Sequence, residues 1–426
     1  MKTIQPVAKI DVALEVPGSK SITQRALVAA ALAEGDSVLT NPLVSEDTNY
    51  SIAALRQLGI GVECQPDHWR VAGRGGSIRA AASDIFLGNN GTATRFLTSV
   101  AALAEEGTIR IDGNQRMRER PIGPLLAALR GWGVDIRDEM GKACPPLVIN
   151  GHGIAGGATV LPEGKSSQYL SSLLLVAPYA RQAATIRVEG EVLSKPYVAM
   201  TLAVMAEFGI QADFNRDFTN FTISQGHYQG REYAIEGDAS SASYFWAAAA
   251  VTAGRICVKN LPVPSLQGDA MFVALLARMG CEVKQAERGF TLTGGERLEG
   301  IEVDMGNMPD VAPTLAVVAA FAHGDTVINN IAHLRIKECD RLSAVVTELK
   351  KLGVDAEEFP DKMIIHGQGG AGLHGAAIDT YRDHRIAMSF AVAGLRIPGV
   401  EIIDEGCVKK SFPDFWRRWE LLQGAA

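Results

Sequence analysis

The stretch Ile52-Ala53-Ala54-Leu55-Arg56-Gln57-Leu58-Gly59 contains the pattern that decides the fold. Its apolar residues stand seven, four and one positions before the glycine, which places them on one helix face. A glycine directly after the last apolar residue is typical of a helix that ends in a left-handed cap. The same pattern recurs every 71 to 76 residues and ends at Gly133, Gly209, Gly280 and Gly353.

A sixth, degraded copy closes the chain in Phe415, Trp419 and Leu422. Six copies of about 71 residues account for all 426, so the repeat is the architecture. Each copy also contains a short strand, a polar turn, a helix of small residues and a second strand. In the first copy, we expect strands at 11–16 and 37–40, a turn from Pro17 to Ser21 and a helix over 22–32.

Bulk composition excludes several classes of protein. At 47% hydrophobic residues the chain can bury a large core, as two domains of three repeats each. A net charge of -7 argues against general nucleic-acid binding, and no apolar stretch approaches the roughly 18 residues of a membrane span. The six cysteines form no CxxC pair, and no histidine cluster has zinc spacing. We expect a cytoplasmic monomer with reduced thiols, no metal and no cofactor.

Cations cluster at the polar turns where the small-residue helices begin. Serine, threonine, asparagine and aspartate in these turns predict N-caps, which alone would explain them. Helix N-termini already carry partial positive charge, so additional cations there are unfavourable unless an anion binds. The cations in question are Lys20, Arg25, Arg95, Arg120, Lys337, Arg341, Arg385 and Lys410. This placement predicts an anion site suited to phosphate and carboxylate groups.

Long, unusual strings then identify a family. The run from Pro17 to Leu27, in one-letter code PGSKSITQRAL, resembles the N-terminal signature of 5-enolpyruvylshikimate-3-phosphate synthases. Further matches follow in the family's order, at 87–95, 118–122, 166–169, 194–197, 237–242, 335–342, 383–388 and 410–413. The resemblance therefore covers the whole chain.

The resemblance implies a two-domain, inverse α/β barrel-like fold of six βαβαββ repeats, three in each domain. It implies one lobe at 19–237 and a second lobe made of 1–18 plus 238–426, with the active site in the cleft between them. The implied reaction transfers the enolpyruvyl group of phosphoenolpyruvate to the 5-hydroxyl of shikimate 3-phosphate and releases phosphate. Neither a metal nor a cofactor is implied.

The family's binding residues carry over motif by motif. For shikimate 3-phosphate, the matching positions are Lys20, Ser21, Arg25, Ser166, Ser167, Gln168, Ser194, Tyr197, Asp310, His333 and Lys337. For phosphoenolpyruvate, they are Lys20, Asn89, Gly91, Thr92, Arg120, Gln168, Arg341, Arg385 and Lys410. Gly91 is expected where backbone approaches the ligand closely.

Three residues are the candidates for acid–base catalysis. Asp310 is expected to take the proton from the 5-hydroxyl. Glu338, with Lys20 as its partner, is expected to handle the proton at the methylene carbon. The division of these roles among the three residues stays open.

The chain departs from the family's common form at two places. Asn90, Thr94 and Phe96 stand where Ala, Met and Pro are usual, beside a retained Gly91. Because the family is the target of glyphosate, Gly91 predicts room for the inhibitor, while Phe96 leaves the degree of sensitivity open. His333 stands where an asparagine is usual, as a substitute ligand or as a change in the contact to the substrate ring.

Three other functions would leave different signatures in the sequence. A UDP-N-acetylglucosamine enolpyruvyl transferase would have a Lys-Asn pair where Lys20-Ser21 stands, and a reactive loop cysteine, whereas Cys144 is interpreted as structural. A non-catalytic repeat protein that binds partners in its grooves would not need cations at so many turns. An RNA 3′-phosphate cyclase would lack these strings and have a more basic surface.

Overall fold

A computed structural model describes residues 1–164, 166–286 and 289–422. Contacts between Cα atoms divide the chain into two compact units, one of Gly18–Ile235 and one of Met1–Pro17 with Glu236–Ala426. The bounds that the family resemblance implies, 19–237 and 1–18 plus 238–426, lie within two residues of these. We call the first the central unit and the second the terminal unit. Each unit is described by itself.

The first and second repeats form most of the central unit. After β1 (Lys2–Thr3) and β2 (Asp11–Leu14), the elements of repeat one are α1 (Lys20–Leu32), β3 (Asp36–Thr40), α2 (Glu46–Gln57), β4 (Gly61–Cys64) and β5 (His68–Ala72). Those of repeat two are β6 (Ile85–Phe86), α3 (Gly91–Ala101), β7 (Thr108–Asp112), α4 (Gly123–Gly131), β8 (Asp135–Asp138) and β9 (Leu147–Asn150). The first expected strand is two residues too long, and the first helix begins two residues earlier than expected.

The third repeat completes the central unit. Its elements are β10 (Gly157–Leu161), α5 (Ser167–Val176), β11 (Ala184–Val188), α6 (Lys195–Glu207), β12 (Asp213–Phe214), β13 (Asn220–Ile223) and the added strand β14 (Glu232–Ala234). The three four-stranded sheets have the orders β14-β3-β5-β4, β6-β7-β9-β8 and β10-β11-β13-β12. In each, a parallel pair is followed by an antiparallel hairpin, which is the predicted βαβαββ pattern.

The terminal unit repeats this plan with one exchange of strands. Its fourth and fifth repeats contain α7 (Ala239–Val251), β15 (Arg255–Val258), α8 (Phe272–Arg278), β16 (Glu282–Ala286), β17 (Gly289–Thr293), β18 (Leu298–Glu299), β19 (Glu302–Asp304), α9 (Ala312–Ala319), β20 (Ala322–Asn329), α10 (Arg341–Lys351), β21 (Asp355–Glu358) and β22 (Met363–Gln368). The N-terminal strand β2 pairs in parallel with β15, so it opens the fourth repeat, while β14 takes the corresponding place beside β3.

The sixth repeat is the least complete. It contains β23 (Ala377–Ile378), α11 (His384–Gly394), β24 (Glu401–Ile402) and α12 (Phe415–Glu420). Its sheet has three strands, β1-β24-β23, because β1 from the N-terminus replaces the usual hairpin. Phe415, Trp419 and Leu422 are all buried, as the degraded apolar pattern predicts.

The apolar helix face and the left-handed cap predicted for each clear repeat are both present in the structure. Of the fifteen apolar positions in the five clear copies, Leu202 is partly exposed and the others are buried. Each of the five glycines has a positive φ, from 81° at Gly133 to 110° at Gly280. The predicted cap is therefore confirmed, and the predicted mixed α/β class with six repeats is confirmed with it.

The small-residue helices lie in the middle of each unit. In α7 every residue but Ser240 is buried, and α9 and α11 are buried throughout. A helix that is apolar on all sides must be covered on all sides, and the sheets provide that cover. The N-termini of these helices carry the residues of the candidate site.

Candidate active site

The polar turns before the buried helices act as N-caps at four of the six positions. The cap side chains accept from backbone N–H groups at 3.5 Å for Ser19, 2.9 Å for Asn90, 2.7 Å for Asp238 and 2.9 Å for Asp383. The cap prediction is wrong at the other two. Ser166 makes no cap bond, and α9 follows a short 3-10 helix, Pro309–Val311, without a side-chain cap. At neither of these two turns does a side chain cap the helix.

In the central unit, Lys20 begins helix α1 and forms an ion pair with Asp47. The Lys20 Nζ lies 3.2 Å from Oδ2 of Asp47, and the two side chains are 14% and 4% exposed. Asp47 stands in the first turn of α2, where a negative charge is favourable. Sequence reasoning missed Asp47, although the capping box formed by Ser45 and Thr48 marks that turn.

Gly91 leaves room for a guanidinium group. A Cβ atom placed on Gly91 would lie 2.4 Å from Nη2 of Arg120. Nη1 of Arg120 donates to the backbone oxygen and to Oδ1 of Asn89, at 3.2 and 3.1 Å. The glycine therefore serves the close approach of Arg120 to the first turn of α3. Its neighbour Thr92 accepts a hydrogen bond from Nε2 of Gln168 at 3.2 Å.

Arg25 is a buried cation whose hydrogen-bond partners among the described residues are neutral. It is 2% exposed and donates to Thr201 Oγ1 at 2.7 Å, Ser171 Oγ at 3.2 Å, and the backbone oxygens of Ser21 and Tyr197 at 2.9 and 3.2 Å. Burial lowers the pKa of Arg25 to about 10. Among the described residues, no carboxylate forms an ion pair with it, so an anion that reached it would be strongly stabilised.

The unusual residues of the second motif belong to this environment. The ring of Phe96 lies 5.3 Å from Cζ of Arg25, which gives a cation–π contact. Asn90, besides capping α3, donates to the backbone oxygen of Asp47 at 2.7 Å, and Thr94 donates back to Asn90 at 2.8 Å. The three departures thus connect Arg25, the Gly91 turn and Asp47 through packing and hydrogen bonds.

Hydroxyl groups gather at the starts of α5 and α6. Ser167 and Ser194 are 8% and 5% exposed. Ser194 precedes α6 in a left-handed conformation with φ of 56°, which is rare for a residue with a side chain. The ring of Tyr197 lies 5.9 Å from Cζ of Arg25, so the α6 turn adjoins that cation. Ser166 and Gln168 flank Ser167 at the start of α5.

In the terminal unit, two guanidinium groups hold Asp310 between them. Nη1 of Arg341 lies 3.2 Å from Oδ1 of Asp310, and Nη2 of Arg385 lies 2.6 Å from Oδ2. Arg341 also donates to Glu338 Oε2 at 2.8 Å, and through Nε to Asp383 Oδ2 at 2.7 Å. Together these carboxylates raise the pKa of Arg341 despite its burial. The structure therefore brings Asp310, Glu338, Arg341 and Arg385 into one cluster.

His333 lies in the adjoining 3-10 helix, Ala332–Ile336, and is 6% exposed. Burial, followed by the charge of Lys337, lowers its pKa to about 3, so the ring is neutral. Among the described residues, neither ring nitrogen has a hydrogen-bond partner. A neutral imidazole offers one donor and one acceptor, which is the hydrogen-bonding capacity needed to replace an asparagine.

Three further residues were missed in the sequence. Asp383 is fully buried and binds Arg341 while capping α11. Asp269 accepts a hydrogen bond from Ser240, and burial together with Asp310 raises its pKa to about 7. Tyr244 lies 3.5 Å from Nη1 of Arg385. Asp383 is the first residue of the matched string 383–388, but nothing in the spacing indicates that it pairs with Arg341.

The last two predicted cations lie at the ends of 3-10 helices. Lys410 is the last residue of the 3-10 helix Glu405–Lys410 and is 8% exposed, and Lys337 directly follows the 3-10 helix that contains His333.

Among the described residues, no group of His, Cys, Asp and Glu side chains has the arrangement of a metal site. Within the same residues, no helix is both long and apolar enough to cross a membrane. Both units thus present cations and hydroxyl groups at helix N-termini, a chemistry suited to phosphate and carboxylate ligands.

Cys144 does not have the environment of an activated nucleophile. It is buried, and burial raises the pKa of its thiol above the ordinary value. A catalytic cysteine needs the opposite shift, because the thiolate is the reactive form.

Comparisons with known proteins agree over nearly the full length. Residues 4–419 match the family described as EPSP synthase (3-phosphoshikimate 1-carboxyvinyltransferase). The chain is 47% identical over 418 residues to the 3-phosphoshikimate 1-carboxyvinyltransferase of Trichormus variabilis, covering 97% of each. It is 46% identical over 424 residues to that of Syntrophobacter fumaroxidans, covering 99% of each. The EPSP synthase structure from Acinetobacter baumannii superposes with a TM-score of 0.82 at 28% identity, covering 100% of this chain and 98% of the other.

Proposed function

The chain belongs to the EPSP synthase family, and on this premise we propose that the clusters of both units bind the two substrates of that family. The enzyme transfers the enolpyruvyl group of phosphoenolpyruvate to the 5-hydroxyl of shikimate 3-phosphate and releases inorganic phosphate. This is a step of the shikimate pathway, which leads to the aromatic amino acids. The observation that carries the residue assignments is the pair of arginines on Asp310.

Phosphoenolpyruvate brings a carboxylate and a phosphate, and we assign these groups to the cations. Arg341 and Arg385 are oriented by carboxylates and suit bidentate binding of the substrate carboxylate. Arg120, held over Gly91 by Asn89, and Lys20, held by Asp47, suit the phosphate. Thr92, Gln168 and Lys410 complete the proposed set.

Shikimate 3-phosphate also brings a carboxylate and a phosphate. Arg25, buried among neutral partners, is the proposed partner of its carboxylate side, together with Ser21 and Tyr197. The proposed phosphate site consists of Ser166, Ser167 and Ser194, with Gln168 beside them. Lys337 and His333 are proposed to bind the ring hydroxyls, with His333 replacing the usual asparagine.

The reaction makes one bond and then breaks another at the same carbon. The 5-hydroxyl oxygen attacks C2 of phosphoenolpyruvate while C3 gains a proton. The tetrahedral intermediate then loses phosphate by C–O cleavage, and C3 releases a proton to restore the double bond. Asp310 is the proposed acceptor of the hydroxyl proton, because both of its oxygens are held in place by arginines. Glu338 and Lys20 are the proposed pair at C3.

The proposed active site draws residues from both units. Because neither unit alone contains the whole residue set, we propose that the two units bind the substrates jointly. A cytoplasmic monomer suits a pathway of small, charged intermediates and an active site built within one chain.

The test is inorganic phosphate release from phosphoenolpyruvate by purified protein without added metal. Shikimate 3-phosphate, UDP-N-acetylglucosamine or no second substrate is supplied in parallel. We expect release only with shikimate 3-phosphate, and a loss of at least 100-fold in Lys20→Ala, because a positioned cation at transferring phosphate is worth about two to three powers of ten. Release with the nucleotide sugar, or none in any condition, would refute the assignment.

A further inference from the structure

The segment before helix α11 has an unfavourable backbone conformation. Tyr381 and Arg382, two consecutive residues with side chains, have φ values of 51° and 55°. The left-handed region disfavours such residues, and two in succession need support from their surroundings. The segment 379–383 leads directly into the cap of α11, one residue before His384 and two before Arg385.

A buried carboxylate on the neighbouring helix α10 supports this segment. Glu348 is 0% exposed and accepts from the Tyr381 hydroxyl at 2.7 Å and from the Asp379 N–H at 3.1 Å. Lys351, on the same helix, lies 2.8 Å from Oε2 of Glu348 and balances its charge. Burial and then the Glu348 carboxylate raise the pKa of Tyr381, which keeps its hydroxyl a donor.

The same helix holds the far end of the segment as well. Arg341, seven residues before Glu348 and therefore on the same face of α10, binds the Asp383 carboxylate through Nε and Nη2 at 2.7 and 3.2 Å. Asp383 in turn accepts from the N–H of Arg385 at 2.9 Å. Helix α10 thus binds the strained segment through two of its residues, Arg341 and Glu348, about 10 Å apart along the helix axis.

We propose that Glu348 is a positioning residue that sets the orientation of Arg341 and Arg385 for phosphoenolpyruvate by fixing segment 379–383. This inference rests on the proposed function, which assigns both arginines to phosphoenolpyruvate. Glu348 touches neither arginine and acts through Asp383. Without the hydrogen bonds from Asp379 and Tyr381 to Glu348, the segment relaxes, and the Asp383 carboxylate moves with it.

The position of Glu348 predicts which kinetic constant changes. Most residues assigned to shikimate 3-phosphate, Arg25, Ser167 and Ser194 among them, lie in the central unit, and three, Asp310, His333 and Lys337, lie in the terminal unit. Neither Arg341 nor Arg385 is among them. A displaced Asp383 should therefore raise KM for phosphoenolpyruvate more than KM for shikimate 3-phosphate. A purely structural role would lower stability without separating the two constants.

The experiment compares Glu348→Gln and Tyr381→Phe with the wild-type enzyme. Glutamine has one acceptor oxygen and turns its NH₂ group towards the other donor of the segment, whereas Tyr381→Phe removes one hydrogen bond only. We expect KM for phosphoenolpyruvate to rise at least fivefold in Glu348→Gln and about twofold to fourfold in Tyr381→Phe, given about 1 kcal/mol per lost hydrogen bond. KM for shikimate 3-phosphate should stay within twofold.

The control is Ile256→Ala in β15, a fully buried position outside segment 379–383 and helix α10. It should lower the thermal midpoint without changing the ratio of the two KM values. An unchanged ratio in Glu348→Gln would overturn the inference, and if that variant does not fold, an unchanged ratio in Tyr381→Phe would do so. Wild-type protein without any phosphate release would instead refute the proposed function, so the two failures are distinguishable.

Discussion

The substitution Asp383→Asn tests how much of the terminal unit's stability depends on its buried charge cluster. Asp383 and Arg341 are 0% and 2% exposed at the side chain, and two bonds of 2.7 and 3.2 Å join them. Removal of one partner of a buried ion pair costs about 3–5 kcal/mol. Asparagine keeps one acceptor oxygen, and Asp310 and Glu338 still face Arg341, so we expect a loss of about 2–4 kcal/mol.

The assay is equilibrium urea unfolding followed by circular dichroism, with a thermal scan beside it. For a unit of roughly 200 residues, the expected loss lowers the midpoint by about 4–16 °C. Asp340→Asn is the matched control, because Asp340 also caps a helix and pairs with an arginine, Arg335, at 2.9 Å. Its side chain is 40% exposed, so its pair should contribute about 1 kcal/mol or less. If the two variants lost the same free energy, burial would not be the source of the effect.

Three more changes follow from the site. Gly91→Ala places a Cβ atom 2.4 Å from Arg120 Nη2, so KM for phosphoenolpyruvate should rise at least tenfold; initial rates that match the wild type would contradict this. Burial lowers the pKa of His333 to about 3 in the folded protein, so below about pH 6.5 the imidazole is protonated only in the unfolded chain. The free energy of unfolding therefore decreases as pH drops from about 6.5 towards 3. His333→Asn should remove this loss, which is up to about 1.4 kcal/mol of unfolding free energy per pH unit, and urea midpoints at pH 7 and 5 measure it. If the variant kept the pH dependence of the wild type, His333 would not be its source. Asp269, whose pKa rises to about 7, stays protonated in the folded protein, whereas the unfolded chain releases this proton above about pH 4, so the free energy of unfolding falls as pH rises from 4 to 7. Asp269→Asn should flatten this pH dependence in guanidinium titrations, and an unchanged pH dependence would contradict the assignment to Asp269.

The local architecture could be predicted from the sequence because it depends on local rules. The spacing of apolar residues before Gly59 and its counterparts specifies a helix face and a left-handed cap, and neither needs knowledge of distant contacts. The exchange of β2 and β14 between the units could not be predicted in this way. Parallel partners lie far apart in the chain, so the periodicity of each strand is the same whichever sheet it joins. Only the resemblance to a family supplied that exchange.

In the candidate site, too, local patterns could be predicted from the sequence and tertiary contacts could not. Cations at helix N-termini are visible in the sequence, and this placement predicts Lys20, Arg120, Arg341 and Arg385 as anion-binding residues. The partners that orient them, Asp47 and Asp383 among others, depend on which helices pack together, and the sequence does not show this. The reason for glycine at position 91 is also tertiary, because the space is taken up by the Arg120 guanidinium. Ser166 stands in a turn that predicts an N-cap, but its side chain makes no cap bond to α5.

The most direct test of the central claim follows the phosphorus atoms during a single incubation. Protein, shikimate 3-phosphate and phosphoenolpyruvate are mixed, and ³¹P NMR with mass spectrometry identifies the products. We expect inorganic phosphate to appear in step with one new compound, shikimate 3-phosphate carrying an enolpyruvyl ether, in equal amounts. Phosphate that accumulates with pyruvate and unchanged shikimate 3-phosphate would show hydrolysis instead of transfer, and would contradict the account.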